Sequence, residues 1–130
     1  MDRIRQFNCL WLLLLLPASV SAQIVEIDND IDEDTVWSRS FADVYVVTFP
    51  ILVDTAVTLT IEPGVVIKFE SDAGITIYGT LDAQGADAVD GWIRFTSLLD
   101  DNIAGDSNGD GPSVPGVGDW AGVTFDGAGS

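Results

Sequence analysis

Leu59-Thr60-Ile61-Glu62-Pro63-Gly64-Val65-Val66-Ile67-Lys68-Phe69 is the stretch whose reading decides the fold. Apolar and polar residues alternate in Leu59-Thr60-Ile61 and again in Ile67-Lys68-Phe69, as they do in strands with one buried face. Between them, Pro63 fixes φ and has no N–H to donate. Gly64 can take φ > 0, so Glu62-Pro63-Gly64 makes a sharp corner. A strand, a corner and a strand, with no helix between, form one side of a β-solenoid coil. The pattern recurs: Ile67-Lys68-Phe69 is echoed by Ile93-Arg94-Phe95 and by Val123-Thr124-Phe125, at offsets of 26 and 30 residues. Those offsets suit stacked repeats.

Working outward, Val44-Tyr45-Val46-Val47-Thr48-Phe49 is almost wholly apolar and reads as a strand buried on both sides. Pro50 ends it, and Ile51-Leu52-Val53 continues. Gly74 to Leu81 reads as two strands with a corner at Gly79-Thr80. Trp92 to Thr96 and Trp120 to Phe125 are further strands. Residues 98–118, rich in Asp, Asn, Gly, Ser and Pro, form a long excursion between them. Residues 23–43 are acidic and carry two short apolar runs, Ile24 to Ile27 and Thr35 to Trp37; they are expected to form an irregular β cap. No stretch beyond the first 22 residues has helical periodicity. Parallel strands normally need helical crossovers. In a solenoid each strand instead pairs with its equivalent one coil away. Three columns are then expected: Leu59 and Ile61 near Ile75 and Ile77, Phe69 near Phe95 and Phe125, and Lys68, Arg94 and Thr124 facing outward. The fold class is all-β: a parallel β-helix with an N-terminal cap (23–43) and first coils (44–130). The chain stops just after a repeat strand and is expected to be a fragment of a longer solenoid.

Residues 1–22 have the order of a secretory signal peptide. Arg3 and Arg5 precede the apolar run Leu10 to Leu16, which is too short to span a bilayer. Pro17 breaks the run, and Val20-Ser21-Ala22 offers small residues for cleavage before Gln23. The protein is therefore expected to be secreted or at the cell surface, with no membrane span after cleavage. Cys9 is the only cysteine and would be lost with the leader, leaving neither a disulfide nor a thiol nucleophile. The whole chain has five basic and 21 acidic residues. Cleavage removes Arg3, Arg5 and Asp2, leaving three basic and 20 acidic residues and a net charge of −17. Such a field disfavours nucleic acid and anionic membranes.

At Thr35-Val36-Trp37, Val44-Tyr45-Val46-Val47, Leu59 to Phe69, Gly79-Thr80-Leu81, Phe95-Thr96-Ser97 and Gly118-Asp119-Trp120-Ala121-Gly122-Val123, the chain resembles the N-terminal region of secreted bacterial right-handed parallel β-helix repeat proteins. The resemblance covers most of the chain after residue 22. It implies a right-handed coil, and it is specific for fold rather than function. The family includes surface proteins, adhesin-like stalks and polysaccharide-degrading enzymes, and no catalytic motif of the enzymes matches here.

The chain has no histidine, which excludes a Ser-His-Asp triad and a His metal site. Lys68 and Arg94 admit three readings: solvated outward positions, a grip on a carboxylated sugar, or the basic side chain used by a polysaccharide lyase. Trp92 and Trp120 either stack on sugar rings or seal coil corners. The clearest site signal is Asp106-Ser107-Asn108-Gly109-Asp110-Gly111. Oxygen donors at the first, third and fifth positions and Gly at the sixth match the start of a calcium loop. The twelfth position is Val117 rather than Glu, so the last ligand must come from Asp119, Asp100 or Asp101. The metal set is thus Asp106, Asn108 and Asp110 with Asp119, and the cofactor is Ca²⁺. The alternative is a solvated Asp/Gly turn. The expected function is a non-catalytic structural or binding module of a β-helix protein. Its partners would be carbohydrate, cell-surface components and the remaining coils. The competing reading is the N-terminal fragment of a polysaccharide lyase or glycoside hydrolase whose active site lies in further coils.

Overall fold

A computed structural model of the protein describes residues 23–126. The leader and Cys9 lie outside these residues. The ten strands are β1 (Ile24–Ile27), β2 (Thr35–Trp37), β3 (Val44–Val47), β4 (Ile51–Val53), β5 (Thr58–Ile61), β6 (Val66–Phe69), β7 (Gly74–Ile77), β8 (Thr80–Ala83), β9 (Arg94–Ser97) and β10 (Gly122–Phe125). Among the described residues there is no α-helix, only a 3₁₀ turn at Val89–Gly91.

Every ladder is parallel. The strands stack into three sheets, ordered β1-β3-β6-β9, β10-β7-β4 and β2-β5-β8. The chain therefore visits the three sheets in turn and climbs one rung per circuit, making a parallel β-solenoid of about three turns. Val44 pairs with Val66 and Thr58 with Thr80, so the basic coil is 22 residues. The expected cap is built as a coil as well: β1 and β2 join their sheets in register, and Ile31 bridges to Val53.

Alternation along each strand sorts the side chains. Tyr45, Val47, Ile67, Phe69, Leu59, Ile61, Ile75 and Ile77 point inward to one continuous core. Fully burying an aliphatic or aromatic side chain contributes about 1.5–3 kcal/mol. Trp37 stacks on Tyr45 at 5.1 Å between ring centroids. The Tyr45 hydroxyl donates to the Ser38 carbonyl and accepts the Ser38 N–H, at 2.9 and 2.8 Å. Burial raises the Tyr45 pKa above the usual tyrosine value; the Ser38 bond opposes this and Glu62 adds to it. Phe69 is sandwiched by Trp120, with near-parallel rings 4.2 Å apart, and by Phe95 at 6.5 Å. Trp120 thus seals the coil where the excursion returns to it.

The expected columns need correction. Phe69 does lie near Phe95, but in the ladder it is Ile67 that pairs with Phe95, and Lys68 with Thr96. The true step here is 28 residues, because the segment around the 3₁₀ turn lengthens this coil. Leu59 and Ile61 pair with Leu81 and Ala83, whereas Ile75 and Ile77 pair with Ile51 and Val53. After the excursion the chain re-enters in a different sheet: Val123 pairs with Ile75 and Phe125 with Ile77. Phe125 is exposed and Thr124 lies beside Thr76, so neither continues the expected columns.

Candidate functional site

The excursion crosses the outward face of the β1-β3-β6-β9 sheet. That face is apolar at Val44 and Val46, both buried although they point away from the inner core. Lys68, in register with Val46, is 0 % exposed. Its Nζ donates to the carbonyls of Asp100 (2.9 Å) and Gly105 (2.7 Å). Burial lowers the Lys68 pKa, opposed by the nearby charges of Asp100, Asp101 and Asp106. Lys68 is outward-facing, as alternation requires, but it is not solvated. It is the pin that holds the excursion. Thr96, one rung on, donates its hydroxyl to Asp100 Oδ2 at 2.8 Å.

The pinned loop carries the expected oxygen donors. Asp106 accepts the Gly109 N–H through Oδ1 (2.8 Å) and the Gly111 N–H through Oδ2 (2.9 Å). These backbone bonds, Gly111 foremost, lower the Asp106 pKa by favouring the carboxylate, against a small opposing desolvation. Gly111 sits at φ +86°, which an L side chain rarely adopts. Asn108 Oδ1 accepts the Asp110 N–H, and its Nδ2 donates to Asp110 Oδ2 at 3.1 Å.

Carboxylate oxygens of Asp101, Asp106 and Asp110 come within 4.8 Å of one another. Asp101 Oδ2 is used, accepting the Ser113 N–H (2.7 Å) and hydroxyl (3.1 Å). Asp101 Oδ1 is buried without a hydrogen-bond partner. A buried carboxylate oxygen left unpaired is costly, and beside two further carboxylates it suits a hard cation. Asp119 lies at another turn: its Oδ2 accepts the Gly116 N–H at 2.7 Å, and its carbonyl accepts the Asp72 N–H. Of the three candidates for the last ligand, Asp101 is the one gathered with Asp106 and Asp110. Ca²⁺, if held here, would draw on these three carboxylates.

An open groove lies beside the loop, with a volume of about 670 Å³. Arg39, Asp43, Gly64, the 3₁₀ turn, Arg94 and residues 102–104 line it. From sequence, Arg94 belongs to a column with Lys68, and Arg39 is one of three remaining basic residues with no site role. Arg39 joins Arg94 because the Gly64 corner and the 3₁₀ turn meet, with Gly64 N–H donating to the Gly91 carbonyl at 3.0 Å. No protein-family profile, curated protein or solved structure matches the chain.

Proposed function

We propose that the chain is a non-catalytic structural or binding module of a secreted or cell-surface bacterial right-handed β-helix protein, in which Ca²⁺ ties the excursion to the coil. The observation that carries the calcium reading is the buried, unpartnered Asp101 Oδ1 beside Asp106 and Asp110. A cation there would satisfy that oxygen and relieve the repulsion among three carboxylates. Carbohydrate and other cell-surface components are the partners suited to an exported stalk of this kind. The lyase reading has less support: Lys68, a candidate basic group for such chemistry, is spent on two backbone carbonyls.

Calorimetry on the full chain is the test. Three carboxylates fall short of the six to eight oxygens Ca²⁺ prefers, so affinity is expected in the ~10⁻⁴–10⁻³ M range of extracellular modules. At ten times Kd, Ca²⁺ would add about 1.4 kcal/mol of stability. Protease cutting between Asp100 and Gly118 should slow. Asp101→Asn and Asp106→Asn should abolish both effects. Absence of binding heat at millimolar Ca²⁺ would leave a solvated turn. Export predicts that the secreted protein begins at Gln23; N-terminal sequencing that found Met1 would refute it.

A further inference from the structure

Among the described residues only Arg39, Lys68 and Arg94 are basic. Lys68 is consumed by the excursion. The other two line the same groove. Arg39 Nη1 donates to the Asp90 carbonyl at 3.4 Å, and Arg94 Nη2 donates to the Val89 carbonyl at 3.5 Å. Both guanidiniums therefore sit on consecutive carbonyls of one 3₁₀ turn. These bonds are at the long limit, so most of the five donors on each guanidinium remain for something else. Neither bond goes to a carboxylate, although the chain carries 21 acidic residues.

The arrangement is built rather than incidental. Gly64, at φ +83°, leaves the space: a Cβ there would come within 2.6 Å of both Arg39 Cδ and the Asp90 carbonyl oxygen. Arg94 is backed by the Trp92 ring, with its guanidinium carbon 5.4 Å from the centroid. Two like charges drawn onto one turn favour an anion that both can reach. The rest of the wall sets the kind of anion. Val66, Val89 and Ile103 are apolar, while Asp43 and Asp90, which also line the groove, oppose multiple negative charges.

We propose that this groove binds a small monocarboxylate with a compact apolar body. The carboxylate lies across Arg39 and Arg94 in the planar geometry that guanidiniums favour, and the apolar body lies on Val89 and Ile103. A free organic acid and the carboxyl terminus of a peptide share this chemistry. The site is independent of calcium, because Lys68 already holds the Ile103 segment in place.

An amide NMR titration of the full chain in EDTA tests it, with N-acetyl-leucine, N-acetyl-leucinamide, leucine and inorganic phosphate as probes. N-acetyl-leucine should shift Gly64, the 3₁₀ turn and Ile103 saturably in the millimolar range, and N-acetyl-leucinamide should not. Arg39→Gln and Arg94→Gln should each weaken binding about tenfold or more, the scale of one charge-assisted pair. Val89→Asp, at an exposed position, should weaken it without unfolding the coil. A preference for N-acetyl-leucine over leucine supports a chain terminus as the source; equal or tighter binding of leucine supports a free acid. The proposal is overturned if the amide binds as well as the acid, if phosphate binds more tightly, if both arginine variants bind unchanged, or if no probe saturates.

Discussion

The coils and the excursion are held by different physics. From β1 to β8 the chain is fixed by parallel ladders over an apolar core, in which Leu59, Val47, Ile67 and Ile77 are fully buried. Residues 98–118 have no ladder of their own. They are held by Lys68, by Thr96 and by carboxylates accepting backbone N–H groups. Burial is spread over many side chains, each replaceable in part. Polar anchoring concentrates on a few atoms, so its loss should be local and abrupt. The regular region builds a scaffold, and the irregular one lays charged groups across it.

The largest effect is expected in the coil. Phe69→Ala removes a buried ring from between Trp120 and Phe95 and should destabilise the protein by about 3–5 kcal/mol. Urea unfolding followed by tryptophan fluorescence measures it. A loss below 1 kcal/mol would mean that the aromatic stack is not part of the cooperative core.

A smaller and more local effect is expected at Lys68. Lys68→Met keeps the apolar stem and deletes two charge-assisted bonds, at a cost of about 1.5–3 kcal/mol. Proteolysis between residues 98 and 118 should accelerate, while amide exchange in β3, β5 and β6 keeps its protection. Global loosening of those strands would show that coil and excursion form one unit.

The smallest effect is one of pH, and it has opposite signs in the two regions. The Lys68 pKa is lowered on folding, so between that lowered value and 10.5 the unfolded chain binds more protons, and stability rises with pH. The Tyr45 pKa is raised, so the folded chain keeps a proton that the unfolded chain loses above pH 10, and stability falls there. Lys68→Met should remove the rising limb and Tyr45→Phe the falling one, as read by urea midpoints across alkaline pH. Matching slopes in both variants would contradict the assignment.

The strands and the Glu62-Pro63-Gly64 corner were legible because their causes are local: alternation, a fixed φ, and a glycine at +83°. The solenoid followed from having strands without helices. Register was not legible. The triplets ending in Phe69, Phe95 and Phe125 look equivalent, but the 3₁₀ segment shifts one of them and the excursion carries another into a different sheet. Lys68 was placed on the outward face, as it is, but nothing near it in sequence foretells the cover that Asp100 and Gly105 provide. The calcium pattern named Asp106, Asn108 and Asp110. It took Asp119 as the last ligand, whereas Asp101 is the residue gathered with Asp106 and Asp110, because that choice depends on how the loop folds back. The pairing of Arg39 with Arg94 joins residues 55 apart and has no sequence signature.

The ladder from β7 to β10 joins residues 48 apart, twice the 24 that separate β4 from β7. Chain-closure entropy grows only logarithmically, so this doubling costs about 0.6 kcal/mol. The corner after β9 is therefore a permissive point for grafting. Foreign sequence can be spliced in between Ser113 and Gly116 and extended at little thermodynamic cost, provided that Asp100 and Gly105 still reach Lys68 and Ser113 still reaches Asp101.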